Sequence, residues 1–168
     1  GGTTVPAVTI DSSTFSGHTS VDGGIGFSLV AELSSGALTV ENSTFNDPGG
    51  FVVPPYAMRF SVADGGSPMF AVNNSTIVAQ GGIAFLAESA ASAGLSVSHT
   101  IIDSLGAPAI TESSDDPGDV FVEWSVLSGG VDALVSQGVG NQLGVATIGL
   151  GALQGNGGPT WTMLPAAT

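Results

Sequence analysis

Carboxylates hold most of the chemistry available to this sequence. Fourteen acidic residues stand against a single base, Arg59, and there is no cysteine. Acids recur at comparable places in successive stretches, at Glu32, Asp64, Glu88 and Glu112, with Gln137 in the last. Stacked one strand spacing apart, about 4.8 Å, Glu88 and Glu112 would form a like-charge pair. Such a pair repels, raises one carboxyl's pKa, or holds a cation between its oxygens. A separation of about 5 Å is also that of the two carboxylates of a retaining glycosidase. One reading of Glu88 and Glu112 is therefore a carbohydrate-active hydrolase. The other is a column of acids at the outer edge of a turn, where solvent and salt screen their repulsion.

The densest acidic run is Ser113-Ser-Asp115-Asp116-Pro-Gly-Asp119. Asp115, Asp116 and Asp119, with nearby carbonyls, could supply part of the roughly six to eight oxygens that calcium takes. The spacing fits no EF-hand loop, and a solvated turn is the competing reading. Glu41 and Glu123 share an outward position but lie three repeats apart, roughly 14 Å, too far to act together as acid and base. Other nucleophilic or metal chemistry is poorly supplied. His18 and His99 stand among many hydroxyls with no local triad signature, and two histidines without cysteines make a poor structural zinc site. Asn42-Ser-Thr and Asn74-Ser-Thr match glycosylation acceptors, but their shared place in a repeat supplies a structural reason for both. Arg59 is the sole candidate base for a lyase-type elimination, and its acidic surroundings would repel an anionic polysaccharide.

The same inventory bears on partners. A net charge of −13 excludes a nucleic-acid footprint, which needs several cations on one face. No apolar run reaches the roughly 18 residues of a membrane span. With 42% hydrophobic residues the chain can fill a core, and 168 residues suit one domain. The opening Gly1-Gly2-Thr3-Thr4 has neither an initiator methionine nor a signal peptide, and reads as part of a longer protein.

What must position these side chains is a repeat. AVTIDSSTF, ALTVENSTF, MFAVNNSTI, GLSVSHTII and DVFVEWSVL align on Ile10, Val40, Val72, Val97 and Val122, at intervals of 30, 32, 25 and 25 residues. Two positions before each anchor stands Val8, Leu38, Phe70, Leu95 or Val120. Three after it stands Ser13, Ser43, Ser75, Thr100 or Ser125, and five after it Phe15, Phe45, Ile77, Ile102 or Leu127. Strand side chains alternate between faces, so the last column has parity opposite to the anchor. A bend between them must reset the alternation. It falls on Ser12, Asn42, Asn74, His99 and Trp124, and asparagine tolerates the left-handed backbone of a tight bend.

A third strand recurs at Ile25/Phe27/Leu29, Met58/Phe60/Val62, Ile83/Phe85, Pro108/Ile110 and Val131/Ala133/Val135, after Gly-rich turns such as Gly23-Gly24, Gly49-Gly50, Gly81-Gly82 and Gly129-Gly130. Three short strands in about 25 residues make the coil of a parallel β-helix, whose repeats stack to bury one core. A β-sandwich, the rival fold, gives no reason for one residue type to return at one place in each unit.

The V-x-N-S-T-[FI] unit resembles the coils of bacterial surface β-helix proteins, among them polymorphic outer-membrane proteins and autotransporter passengers. Leu150-Gly-Ala-Leu-Gln-Gly-Asn-Gly-Gly-Pro-Thr160, followed by Trp161-Thr-Met-Leu-Pro165, is similar to the closing motif of "choice-of-anchor" secreted proteins. Met163 stands where that motif usually has His, and the chain after Pro165 reads Ala-Ala-Thr where the family continues into a further strand. The resemblance implies export, a right-handed fold and display at the cell surface, and it carries no catalytic residues.

The expectation is therefore an all-β, right-handed, single-stranded parallel β-helix of five to six coils over residues 1–149. A closing segment over 150–168 would cap its open end, where exposed strand edges invite end-to-end self-association. The expected function is a non-enzymatic secreted or cell-surface stalk or adhesin-like module that binds a glycan, host or cell-wall surface. No cofactor is expected beyond the calcium that the Asp115 loop could hold.

Overall fold

The structure is a computed structural model, and it describes residues 6–17, 29–47, 56–62, 65–87, 92–105, 107–114, 119–132 and 135–165. The described residues form strands, turns and loops, with no helix. Every pairing between named strands is parallel, and three parallel sheets wrap one core as a β-solenoid.

The first sheet contains the repeat anchors. Its strands are β1 (Ala7–Asp11), β4 (Ala37–Glu41), β7 (Met69–Asn73), β10 (Gly94–Ser98), β13 (Asp119–Glu123) and β15 (Ser136–Gln137), adjacent in that order. The second sheet runs β2 (Thr14–Ser16), β5 (Thr44–Asp47), β8 (Thr76–Ala79), β11 (Ile101–Asp103) and β14 (Val126–Leu127). The third runs β3 (Leu29–Leu33), β6 (Tyr56–Val62), β9 (Gly81–Ala87) and β12 (Ile110–Ser114).

Register follows the repeat residue for residue. Val8, Leu38, Phe70, Leu95 and Val120 are successive partners, and so are Ile10, Val40, Val72, Val97 and Val122. In the second sheet Phe15, Phe45, Ile77, Ile102 and Leu127 form a matching file. From Leu38 and Phe45 onward these side chains are buried. Val8 is 54% exposed, because no described strand stacks on the outer side of β1. Phe15 and Phe45 stack at 4.6 Å, and Phe70 meets Phe60 at 4.8 Å and Phe85 at 6.1 Å, tying the first sheet to the third.

The corner between the first two sheets turns on one left-handed residue per repeat. Ser12, Asn42, Asn74, His99 and Trp124 all have φ between 48° and 50°, which is the reset that the change of parity requires. A left-handed conformation costs an L-residue roughly 1–2 kcal/mol, most awkwardly for a bulky side chain. At Trp124 stacking offsets the strain: its ring lies 6.4 Å from that of His99 and nearly parallel to it. Gly140 approaches in the next layer so closely that a Cβ there would stand 2.2 Å from the indole.

The next column explains why the hydroxyls recur. Ser43 Oγ donates to the Glu41 carbonyl and accepts the N–H of Ser13 in the neighbouring repeat. Ser75 does the same with Asn73 and Ser43, Thr100 with Ser98 and Ser75, and Ser125 with Glu123 and Thr100. The column ends at Asn141, whose Oδ1 accepts the Ser125 N–H while its Nδ2 donates to the Val122 carbonyl. Ser43, Ser75, Thr100 and Ser125 are buried, so each hydroxyl satisfies an amide that water cannot reach. An unmet buried donor costs about 1–3 kcal/mol.

The third sheet departs from expectation at both ends. In the first repeat Leu29 is the partner of Met58, followed by Ala31 and Leu33; Ile25 and Phe27 lie outside the described residues. In the fourth, Ile110 continues the file of Leu29, Met58 and Ile83, and the next inward position holds Glu112.

Candidate functional site

Glu112 faces the interior. It is 5% exposed and stands opposite Phe85, in the file that runs through Phe60 to Ala31. The expected acidic column therefore does not form as drawn. Glu32 pairs with Ser61 in a neighbouring file, and Gln137 pairs with Val122 in a different sheet. The reason is loop length: the loops between anchor and third sheet differ from repeat to repeat, and an offset of one residue exchanges the faces of a strand. Glu88 and Asp64 lie outside the described residues, as do Asp115 and Asp116. Asp119 opens β13 opposite Gly94. Among the described residues no cluster of three or more His, Asp or Glu is placed to hold a metal ion.

The outward acids lie beside the corner. Asp11, Glu41, Asn73, Ser98 and Glu123 are in register, so Glu41 and Glu123 are three strand steps apart, as their spacing in the sequence implies. Asn42 Nδ2 donates to Asp11 Oδ1 at 2.9 Å and the Ser12 hydroxyl donates to it at 3.0 Å. These bonds, the one from Asn42 first, hold the Asp11 carboxyl below the usual carboxylate range. A depressed carboxyl pKa stabilises the fold above its unfolded value, and the contribution is lost as pH falls through the folded one. Asn42→Ala should move the Asp11 titration upward, as followed by its carboxyl carbon in an NMR titration, and narrow that acidic window.

Aromatic residues gather near the same corner. Trp124, 53% exposed, lies between His99 and Gly140, and Gly138 packs closely on Phe121.

A built concavity lies on the second sheet. After the last repeat the chain leaves the solenoid and folds back as an arm, in which Leu150 bridges Pro165 and Gln154 bridges Thr162 in antiparallel fashion. Asn156 Nδ2 closes the intervening loop by donating to both the carbonyl and the hydroxyl of Thr162. At the far end Thr14 Oγ1 accepts the Trp161 N–H at 3.1 Å and donates to the Trp161 carbonyl at 3.3 Å. The arm thus runs along the outside of the second sheet, from its last strand back to its first. It was expected to lie over the open end.

Between arm and sheet lies a cleft of about 640 Å³. One wall is the outward file Ser16, Asn46, Val78 and Asp103, with Leu105 beyond it; the other is formed by Leu150, Leu153 and Met163. Val78, on the outer face of β8, lines the cleft and is 8% exposed. The motif that singled out residues 150–165 was legible in the sequence. Its docking surface was not, because the outward file has no common residue type.

Among the described residues Thr14 provides the polar link between arm tip and solenoid, and the contact is exposed. Thr14→Val should leave the solenoid folded and free the tip. We expect faster hydrogen exchange at the Trp161 amide and a stability loss of about 1 kcal/mol. Unchanged protection at Trp161 would mean that apolar contacts alone hold the arm.

No helix among the described residues is long and apolar enough to cross a membrane. Compared with known proteins, the chain matches no family model, no curated protein and no solved structure.

Proposed function

We propose that this chain is a non-enzymatic extracellular or cell-surface module, a right-handed β-helix of five to six coils serving as a stalk or adhesin-like binder. The observation that carries the reading is the use made of the interior. The anchor files, the Phe files and the hydroxyl column are all consumed in stacking one repeat on the next. What varies most between repeats is the outward surface, and a module whose inside repeats apolar residue types and whose outside does not is suited to display. Its charge of −13 keeps such a rod soluble and discourages association with anionic polymers.

Two measurements on the purified chain test this. It should bind a component of a glycan, matrix or cell-wall array without turning it over. In the source organism, an antibody raised against it should label intact cells or the medium. Turnover of a polysaccharide, lost in Glu112→Gln, would replace the proposal with the hydrolase reading of Glu88 and Glu112.

A further inference from the structure

The cleft under the arm combines one carboxylate with an aliphatic wall. Ser16, Asn46, Val78 and Asp103 climb one strand step at a time, so the floor is roughly 14 Å long and parallel to the solenoid axis. Its volume, about 640 Å³, falls in the range of small-molecule sites. Polar groups stand at its two ends: the Ser16 hydroxyl and Asn46 amide at one, Asp103 at the other. Between them the floor is Val78, and the facing wall is Leu150, Leu153 and Met163.

The chemistry of an occupant follows from what lines the cleft. The chain's one Arg or Lys, Arg59, belongs to the third sheet, and His99 sits at the corner between the first two sheets and does not line the site. An anion would meet Asp103 and a net charge of −13, with no cation among the described lining residues to receive it. Among the described residues no aromatic ring lines the cleft, so they give a sugar no platform on which to stack. A linear aliphatic chain ending in a cation satisfies both features, its stem lying along Val78, Leu150 and Leu153 and its charge on Asp103.

We propose that the cleft between the second sheet and the C-terminal arm binds a primary alkylammonium group, its ammonium on Asp103 and its methylene stem against the arm. This holds whether or not the solenoid is a surface stalk. The same chemistry is offered by a free aliphatic amine and by a lysine side chain, and Ser16 and Asn46 can serve the second amine of the one or the backbone amide of the other.

The test is a methyl- and amide-detected NMR titration of the full chain with n-hexylammonium, ethylammonium, 1-hexanol, hexanoate, 1,6-diaminohexane and Nα-acetyl-lysine methylamide. Hexylammonium should shift the methyls of Leu150, Leu153 and Met163 and bind about tenfold more tightly than ethylammonium, from methylene burial. It should also exceed 1-hexanol, and Asp103→Asn should lower its affinity about tenfold, to that of the alcohol, from loss of a charge-assisted bond. Hexanoate should not bind. Asp103→Asn is nearly isosteric, and an unchanged melting midpoint confirms that it is folded. Leu153→Ser should weaken hexylammonium while leaving ethylammonium unaffected. Tighter binding of the diamine assigns a free amine as the natural ligand; tighter binding of the lysine amide assigns a side chain. Equal affinities for hexylammonium and ethylammonium, shifts spread over Asp11, Glu41 and Glu123, or full affinity in Asp103→Asn would each overturn the proposal.

Discussion

Replacing Phe70 with alanine should destabilise the solenoid by about 3–5 kcal/mol, the cost of removing a fully buried aromatic ring. Phe70 is buried in the first sheet and packs against Phe60 and Phe85 of the third, at 4.8 Å and 6.1 Å. The cavity would open between two sheets, where parallel backbones hydrogen-bonded to both neighbours cannot easily collapse into it. In a stacked-repeat fold each unit touches mainly its neighbours, so the damage should be graded. Amide exchange should quicken most in β4, β7 and β10 and least in β14 and β15. Denaturant titration gives the total and hydrogen exchange its distribution. A loss below about 1 kcal/mol, or one spread evenly along the chain, would show that Phe70 does not join the sheets as described.

The second large effect is expected at a residue that resembles a surface serine. Ser75→Ala removes the bond to the Asn73 carbonyl at 2.8 Å and the acceptor for the Ser43 N–H at 3.2 Å. Both amide and hydroxyl are buried, so a stranded donor remains, and the loss should be about 1–3 kcal/mol. Ser75→Thr should restore most of it, because Thr100 occupies the same column with the same two bonds. The Ser43 amide should exchange faster in the alanine variant and not in the threonine one. Asn141→Ala should behave like Ser75→Ala at the Ser125 amide, since Asn141 ends the column there.

What the residue pattern made legible, and what it hid, divide along one physical line. Positions whose side chains point inward are constrained by the repeat above and below, so their types recur. The anchor files, the opposite parity of Phe15 and Phe45, and the left-handed corner at Ser12, Asn42, Asn74, His99 and Trp124 could all be read in this way. The recurring hydroxyl was visible as a column, but its bonding was not, because a serine recurs equally well in a solvent-facing turn. Glu112 was misplaced because loops of unequal length precede it and no corner fixes its register. Two neighbours in its file, Phe60 and Phe85, are apolar, and a lone carboxylate among them is not a pattern. The cleft was hidden for a further reason. It is made by the arm, pinned at Thr14 147 residues earlier in the chain, lying along a neighbouring outward file that carries Ser, Asn, Val and Asp in turn.

Winding is the premise on which the display surface, the hydroxyl column and the cleft all rest, and cysteine cross-linking tests it in a chain that has no cysteine of its own. Thr39 and Ala71 are register partners on the first sheet, and Ala71 and Ser96 continue the same row. Adjacent partners lie within the roughly 4.4–6.8 Å that a disulfide spans between Cα atoms. The paired variants Thr39→Cys with Ala71→Cys, and Ala71→Cys with Ser96→Cys, should close quantitatively under mild oxidation of the folded protein. Thr39→Cys with Asn73→Cys, one step out of register on the same face, should close slowly or not at all. Fast closure of the offset pair, or none of the in-register pairs, would contradict the solenoid.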